Sequence, residues 1–581
     1  MRGVNSEEYD QRPGFHIVAP MGQWINDPNG PFYDNATGLY HIFMQHNPYD
    51  YVWGNMSWGH RVSDDMVHWM SLDEALTPGP EEYDENGVFS GSMFQYRYPS
   101  GKLSDPTIFY TCVDEEENQM QCQAHYDKRA LEERNVLGKW AKALRNPIIP
   151  QPPPQGDPQN FRDPTVWQEG TQAKLIAAAS VEGEGIVAIY YLDLETGEWT
   201  YKGQLWNAVT ADDAPVHTWM PECPDLIPLP TSDEKLSSQD AAYDFAGTEY
   251  AWFKWSCMET RVDYCSIGVY DSTNEKYFAS TNFPLGMQVD YGPFVMSYYA
   301  SKTFFDPSTN RRLLWGWSAE SDNATEAEAR KWQGVLTIPR TVVFDGQAVR
   351  YAPIDEIKSL YISGTEQHIA LSLPLFGGDS TSSQLLEGLQ SIQSDATFSF
   401  KVPELAIALK HGGKEMEQWT GAEFEVGLLV RACLTSNEET KTVNDNAPPA
   451  EYTEIGVRIV VHDDLHVSMA TVLDTRYSGG TTPRNTSVAE IPFMTQALDS
   501  FKASGGVVDM RVLLDNSIAE VFTQSGLQAS TMRFYPRESC SSIGFFSRSR
   551  GGKEGDLPER VEVHLSVVQV EDAMPPSPFI F

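Results

Sequence analysis

Short apolar or alternating runs recur along the chain, and turn signals separate them. The runs lie at 39–44, 92–98, 107–113, 174–179, 186–192, 250–255 and 312–317. Between them stand Asn-Ala-Thr-Gly at 35–38, Pro-Ser-Gly-Lys at 99–102, Glu-Thr-Gly-Glu at 195–198 and Pro-Ser-Thr-Asn at 307–310. Helical periodicity is scarce. Runs of this length and spacing predict an all-β fold. The first 350 or so residues carry more strands than a simple sandwich holds, which suits radial repetition such as a propeller. No strict repeat is visible, so any blades have diverged.

At 581 residues, one ordinary core is too small for the chain, and two domains are expected. The texture changes after Asp345: Trp disappears except at 419. Residues 354–370 read as a linker with a short helix near 354–360. Beyond it, Val561, Val563, Leu565 and Val567 alternate with polar residues, as in a half-buried strand, and 454–461 and 507–514 behave alike. Residues 436–449 form a polar loop. The second half reads as a β-sandwich. The expected division is 1–353, a linker at 354–370, and 371–581.

Charge excludes some partners. The net charge is −39, so neither nucleic acid nor an anionic membrane surface is expected to bind. No run of about 18 apolar residues exists, so no spanning helix is predicted. The opening Met1-Arg2-Gly3-Val4-Asn5-Ser6 is polar, which leaves a cytosolic protein or one whose signal peptide has been trimmed. Four N-glycosylation sequons, at Asn35, Asn55, Asn323 and Asn485, favour secretion. Seven cysteines leave at least one unpaired. Cys112 with Cys122, and Cys257 with Cys265, could each bridge a hairpin, though spacing alone does not give connectivity. No zinc-type ligand spacing is present, so neither a metal nor a cofactor is expected. His462-Asp463-Asp464 reads as a solvated turn, and His46, His60 and His68 as structural histidines.

Three carboxylate motifs stand out. Asp27 lies in Trp24-Ile25-Asn26-Asp27-Pro28-Asn29-Gly30, Asp163 in Phe161-Arg162-Asp163-Pro164, and Glu222 in Glu222-Cys223-Pro224-Asp225. Each is expected at a loop-to-strand junction, where a radial fold brings such junctions to its axis. A flat Trp and a two-way amide beside a carboxylate suit a sugar ring. Taken singly, each motif also suits an ordinary turn.

Together these motifs, with Trp53, Ser90 and the segments 290–306 and 334–340, resemble glycoside hydrolase family 32, the β-fructofuranosidases. The likeness is strongest to plant-type acid invertases. The resemblance implies an N-terminal five-bladed β-propeller with a funnel-shaped site and a C-terminal β-sandwich. It further implies Asp27 as nucleophile, Glu222 as general acid/base and Asp163 as transition-state stabiliser. Asn26, Gln45, Trp53, Ser90 and Arg162 would line the pocket for the terminal fructose, with Trp24 and Phe89 as apolar walls. Trp58 and Trp69 read as blade packing, and Cys223 as a small packing residue.

Fructoside cleavage needs one carboxylate ionised to attack and one acid to release the leaving oxygen. The implied substrate is sucrose or a fructan, and the implied reaction a retaining hydrolysis. Alternatives are a fructan exohydrolase or fructosyltransferase on the same scaffold and, from another class, a non-catalytic sugar-binding protein. One position departs from the family pattern. Where plant invertases carry an acid–Lys pair, this chain has Met258 and Arg261 with Glu259 between. The pair is either rebuilt by Glu259 and Arg261 or lost. Oligomeric state is not legible in the sequence.

Overall fold

A computed structural model of the chain describes residues 11–126, 139–230, 245, 247–375, 380–390, 392–433, 451–478, 488–493, 495–537, 540–551 and 557–573. The polar stretch 436–449 and the sequon at Asn485 lie outside them. Strands dominate, as expected. Five antiparallel sheets occupy the first half; four are meanders whose first strand lies inward, the fifth has Tyr299–Asp306 inward and adds the N-terminal strand Ile17–Val18, and together they form a five-bladed propeller. The five inner strands are Trp24–Asp34, Gly87–Phe94, Gly156–Glu169, Pro221–Leu229 and Tyr299–Asp306. Two six-stranded antiparallel sheets form the sandwich that follows.

The burial patterns explain why the sequence signal was continuous in places and alternating in others. The second strand of a blade is covered by its neighbours on both faces. Leu39–Asn47 and Thr107–Val113 are accordingly buried at every residue. The outer strand of a blade has a wet face, so Glu198–Asn207 alternates; in the sandwich each sheet has one wet face, so Arg560–Gln569 alternates although it is paired on both sides. The propeller core is divided into apolar clusters between adjacent blades. Phe43, Trp58 and Tyr110 join the first and second, Phe109 and Phe161 the second and third, and Trp167 and Phe253 the third and fourth. Ile227 and Leu314 join the fourth and fifth, and Ile25 and Trp317 join the fifth to the first.

The ring is closed by its N-terminal segment. Ile17–Val18 pairs with Val335–Leu336 in the fifth blade. Just before it, the N–H groups of Gly14, Phe15 and His16 donate to the Asp515 carboxylate of the sandwich at 2.6, 2.8 and 3.0 Å. The buried His16 ring lies between Asp515 (2.8 Å) and Glu520 (3.0 Å). Burial alone would lower its pKa, but the two carboxylates push it up to about 8. Arg340 extends this polar seam, bridging Glu520 and Asp290 at 2.6 and 2.7 Å.

The expected short helix near 354–360 is a 3-10 helix, Asp355–Leu360, anchored by buried Ile357 and Leu360. Cys112 and Cys122 are bridged. The suggested Cys257–Cys265 bridge is not formed: both thiols are free. The hairpin register sets Cys257 opposite Val262 and Cys265 opposite Lys254, too far along the ladder to meet. Cys433 instead joins Cys540, 107 residues away, a separation that no hairpin spacing could signal.

Candidate active site

Every inner strand carries a β-bulge, near its N-terminal end in all but the third, where it lies midway. The register breaks between Ile25 and Pro28, Phe89 and Gly91, Arg162 and Thr165, Glu222 and Asp225, and Tyr299 and Lys302. Asp163, Cys223 and Ala300 take left-handed backbone at φ of 64°, 49° and 52°. A bulge re-aims a side chain without ending its strand. Asp27 and Asp163 therefore sit inside strands, not at the expected loop-to-strand junctions, while Glu222 stands at the start of its strand as expected. Pro28, Pro164 and Pro224 are tolerated there because a bulge leaves a residue out of the ladder.

The bulges open onto one cavity of about 520 Å³. It gathers every residue expected at the site: Asp27, Asp163 and Glu222, with Trp24, Asn26, Gln45, Trp53, Phe89, Ser90 and Arg162. Trp53 is the exposed member, at 58%, and its ring meets Phe89 edge-on at 6.0 Å. Trp58 is fully buried and donates its indole N–H to the Phe89 carbonyl at 3.0 Å, a packing role as expected. His46, His60 and His68 are engaged by Glu74, His41 and Asp65.

Asp27 is held from two sides. Asn26 donates its amide N–H to Oδ1 at 2.8 Å, and the Ser90 hydroxyl donates to Oδ2 at 2.6 Å. The Trp24 indole N–H fixes that amide through Asn26 Oδ1 at 2.8 Å. Burial, then the charge of Asp163, pushes Asp27 up to about 6, against the two hydrogen bonds that favour its anion. Asp163 is also raised, by burial first; Arg162 opposes this and the charge of Glu222 adds to it. Asp163 Oδ2 accepts the Cys223 N–H at 2.8 Å, and its own N–H donates to Thr111 Oγ1 at 3.0 Å.

Glu222 is held by residues of two other blades. Arg162 Nε and an Nη donate to its Oε1 at 3.1 and 3.0 Å, and Tyr299 Oη donates to Oε2 at 2.6 Å. The charge of Arg162 favours the anion of Asp163, its neighbour in the chain, while its guanidinium hydrogen-bonds across to Glu222, braced by Gln119 (3.1 Å) and Asn160 (3.2 Å). Cys223 lies against both aspartates, its Sγ 3.5 Å from Asp163 Oδ2 and 3.8 Å from Asp27 Oδ2. Burial and the two negative charges raise its pKa well above the ordinary thiol range, so it stays an uncharged S–H.

Sequence reading missed several lining residues: Gln119, Asn160, Trp219, Met296, Tyr299 and Trp317. Tyr299 had a signal, since it lies in the segment 290–306 and opens the fifth inner strand much as Glu222 stands at the start of the fourth. The alternatives left at Met258, Glu259 and Arg261 are settled. Glu259 turns away to accept the Trp219 N–H at 2.7 Å. Arg261 lines the cavity with its Nη1 3.6 Å from Glu222 Oε2. The family's acid–Lys pair is not rebuilt.

The comparisons with known proteins agree with this architecture. The model for the N-terminal domain of glycosyl hydrolases family 32 matches residues 16–353, and that for the family's C-terminal domain matches 365–565. An acid beta-fructofuranosidase of Solanum lycopersicum is 32% identical over 91% of this chain and 78% of its own. An insoluble beta-fructofuranosidase isoenzyme of Arabidopsis thaliana is 30% identical over 91% of this chain and 86% of its own. The crystal structure of fructan 1-exohydrolase IIa from Cichorium intybus superposes with a TM-score of 0.75 at 25% identity, covering 98% of both chains. Two matching domain models, relatives aligned over 91% of this chain and a shared fold lead to one conclusion: this chain belongs to glycosyl hydrolases family 32 and is a glycoside hydrolase.

Proposed function

We propose that this enzyme is a retaining β-fructofuranosidase that releases terminal fructosyl residues from sucrose and from fructans. The observation that carries the reading is the meeting of three acids, each on a different blade, in one cavity, with an amide and a hydroxyl aimed at Asp27. Asp27 attacks the anomeric carbon of the fructosyl ring. Glu222 gives its proton to the glycosidic oxygen, and the bond to the leaving sugar breaks. Water, relieved of a proton by Glu222, then releases fructose from the covalent fructosyl-enzyme. Asp163, fixed by the Cys223 N–H, holds fructosyl hydroxyls as positive charge builds on the ring. Gln45, Asn26, Ser90 and Arg162 bound the fructose end, and Trp24, Trp53 and Phe89 supply apolar wall.

The outer rim has Trp219, Met258 and Met296 around Arg261. It offers a leaving glucose no acid–Lys pair, which favours fructan ends as a second substrate class. The asparagine side chains of three sequons, Asn35, Asn55 and Asn323, are exposed, and relatives are named as insoluble and vacuolar isoenzymes. Both support a glycosylated enzyme of an extracellular or vacuolar space. The working division is a catalytic propeller at 1–353, a linker at 354–370 and a sandwich at 371–581.

Separate incubations with sucrose, inulin and levan test the reading. Equal glucose and fructose from sucrose are expected, with free fructose from at least one fructan. Growing oligosaccharides at high sucrose would overturn hydrolysis in favour of transfer. Full turnover by Asp27→Ala would remove the nucleophile assignment.

A further inference from the structure

Two lysine ammonium groups lie buried behind the acids and take no part in the chemistry above. Lys254, on Tyr250–Cys257, is fully enclosed. Its Nζ donates to the carbonyls of Ser301 (2.7 Å) and Cys223 (3.2 Å) and to Ser256 Oγ (2.9 Å), with Asp263 Oδ2 at 3.3 Å. Lys302, on the fifth inner strand, donates to Thr165 Oγ1 and, at 3.4 Å, to the carbonyl of Pro224. The Thr165 hydroxyl donates to that same carbonyl at 2.5 Å.

These contacts fall on the bulges. Cys223 and Pro224 are the residues by which the fourth inner strand leaves its register after Glu222. Ser301 lies in the corresponding break of the fifth, and Thr165 closes that of the third, just beyond Asp163. A carbonyl turned out of its ladder and away from water needs a donor. An ammonium group has three donors and reaches carbonyls of two strands at once. Burying a cation is costly, and a methionine would fill the same space without that cost. The lysines stand where the displaced strands that carry Asp163 and Glu222 meet the fifth inner strand.

We propose that Lys254 and Lys302 are positioning residues of this reaction: they tie down the carbonyls of Cys223, Pro224 and Ser301, fix the bulges that aim Glu222 and Asp163 into the cavity, and set positive charge behind the acids. The proposal rests on the roles given above to those acids. The charged and titratable groups around the lysines are Asp163, Cys223, Asp225, Asp263 and Cys265, and Arg162 faces Asp163 from the cavity side. The charge of Lys302 is among those that hold Asp163 down against its burial.

Lys254→Met and Lys302→Met keep side-chain length and remove the charge. Each is assayed on sucrose for kcat, KM and the pH profile of kcat/KM, beside thermal unfolding. In folded variants kcat falls by about 10- to 100-fold, the scale of a misplaced reacting group. KM changes by less than about threefold, and the acid limb of the profile moves to higher pH. Folded variants with wild-type kcat and an unmoved limb overturn the proposal. Where the lysine variants fail to fold, Thr165 decides. Thr165→Val loses the hydroxyl that bridges Lys302 to Pro224 and is expected to repeat the kcat loss, while Thr165→Ser recovers most of it. Equal kcat for the two overturns the proposal. A wild-type enzyme that frees no fructose would mark a different failure, that of the proposed function itself.

Discussion

Ser90→Ala removes one of the two hydrogen bonds that hold Asp27 as its anion. The donor is a hydroxyl 2.6 Å from Oδ2, and Ser90 is buried, so the bond is charge-assisted and shielded from water. Such bonds are worth about 1.5–3 kcal/mol. At about 1.4 kcal/mol per pH unit, their loss raises the Asp27 pKa by about one to two units, from about 6. Asn26 still donates to Oδ1, and the burial and Asp163 charge that raise the group are unchanged. If the ionised carboxylate is the nucleophile, the acid limb of kcat/KM, which reports the free enzyme, moves upward by at least about one unit. The assay is sucrose hydrolysis across the limb, for wild type and variant. Ser92→Ala is the control: its hydroxyl, two positions along the same strand, is buried with no partner among the described residues, and its loss is expected to leave the limb in place. An acid limb that stays put or falls in Ser90→Ala would refute the placing of Asp27 as the group that must ionise.

Three further outcomes are expected. Glu222→Gln lowers kcat on sucrose by about 10²- to 10⁴-fold, the range of a lost general acid, and loses less on a fructoside whose leaving group needs no proton; equal losses on both would contradict the acid role. The raised pKa of His16 gives stability that is fully present below about pH 6.5 and lost as pH rises through about 8. The difference is about 2 kcal/mol, seen as a pH-dependent fall in denaturant midpoint that His16→Gln abolishes. At Gly334, with φ of 97°, a Cβ would come 1.8 Å from the carbonyl of Ile25 on the strand that carries Asp27. Gly334→Ala is expected to cost about 3 kcal/mol or more, against about 1 kcal/mol for Gly346→Ala, which has φ of 87° and open space; thermal unfolding of the pair distinguishes collision from backbone preference.

The all-β class was legible because burial leaves a mark of period two, or a continuous run where both faces are covered. The blade repeat was not legible, because what recurs is a backbone irregularity and not a set of residues. Phe89-Ser90-Gly91, Arg162-Asp163-Pro164 and Tyr299-Ala300-Ser301 have little in common as sequence, yet each breaks register on the inner strand of its blade. For the same reason Asp27 and Asp163 read as loop residues. Pro, Asn and Gly are the chemistry of turns and of bulges alike. The site residues came through because a carboxylate beside Pro, Trp and Asn is legible in one dimension. Their partners were not: Arg162 lies beside Asp163 in the chain but spans to Glu222, 60 positions on. Tyr299 meets Glu222 only because the ring brings the fifth blade round to the fourth.

The segment from Gly14 to Val18 serves two masters, completing a blade of the ring and seating a carboxylate of the sandwich some 500 positions later in the chain. A ribosome-bound chain that has not yet reached Asp515 has nothing to receive Gly14, Phe15 and His16. Loosening that strap therefore exposes two structures at once. Heating is expected to melt propeller and sandwich in a single calorimetric transition, and Asp515→Asn to lower that one temperature without splitting it in two.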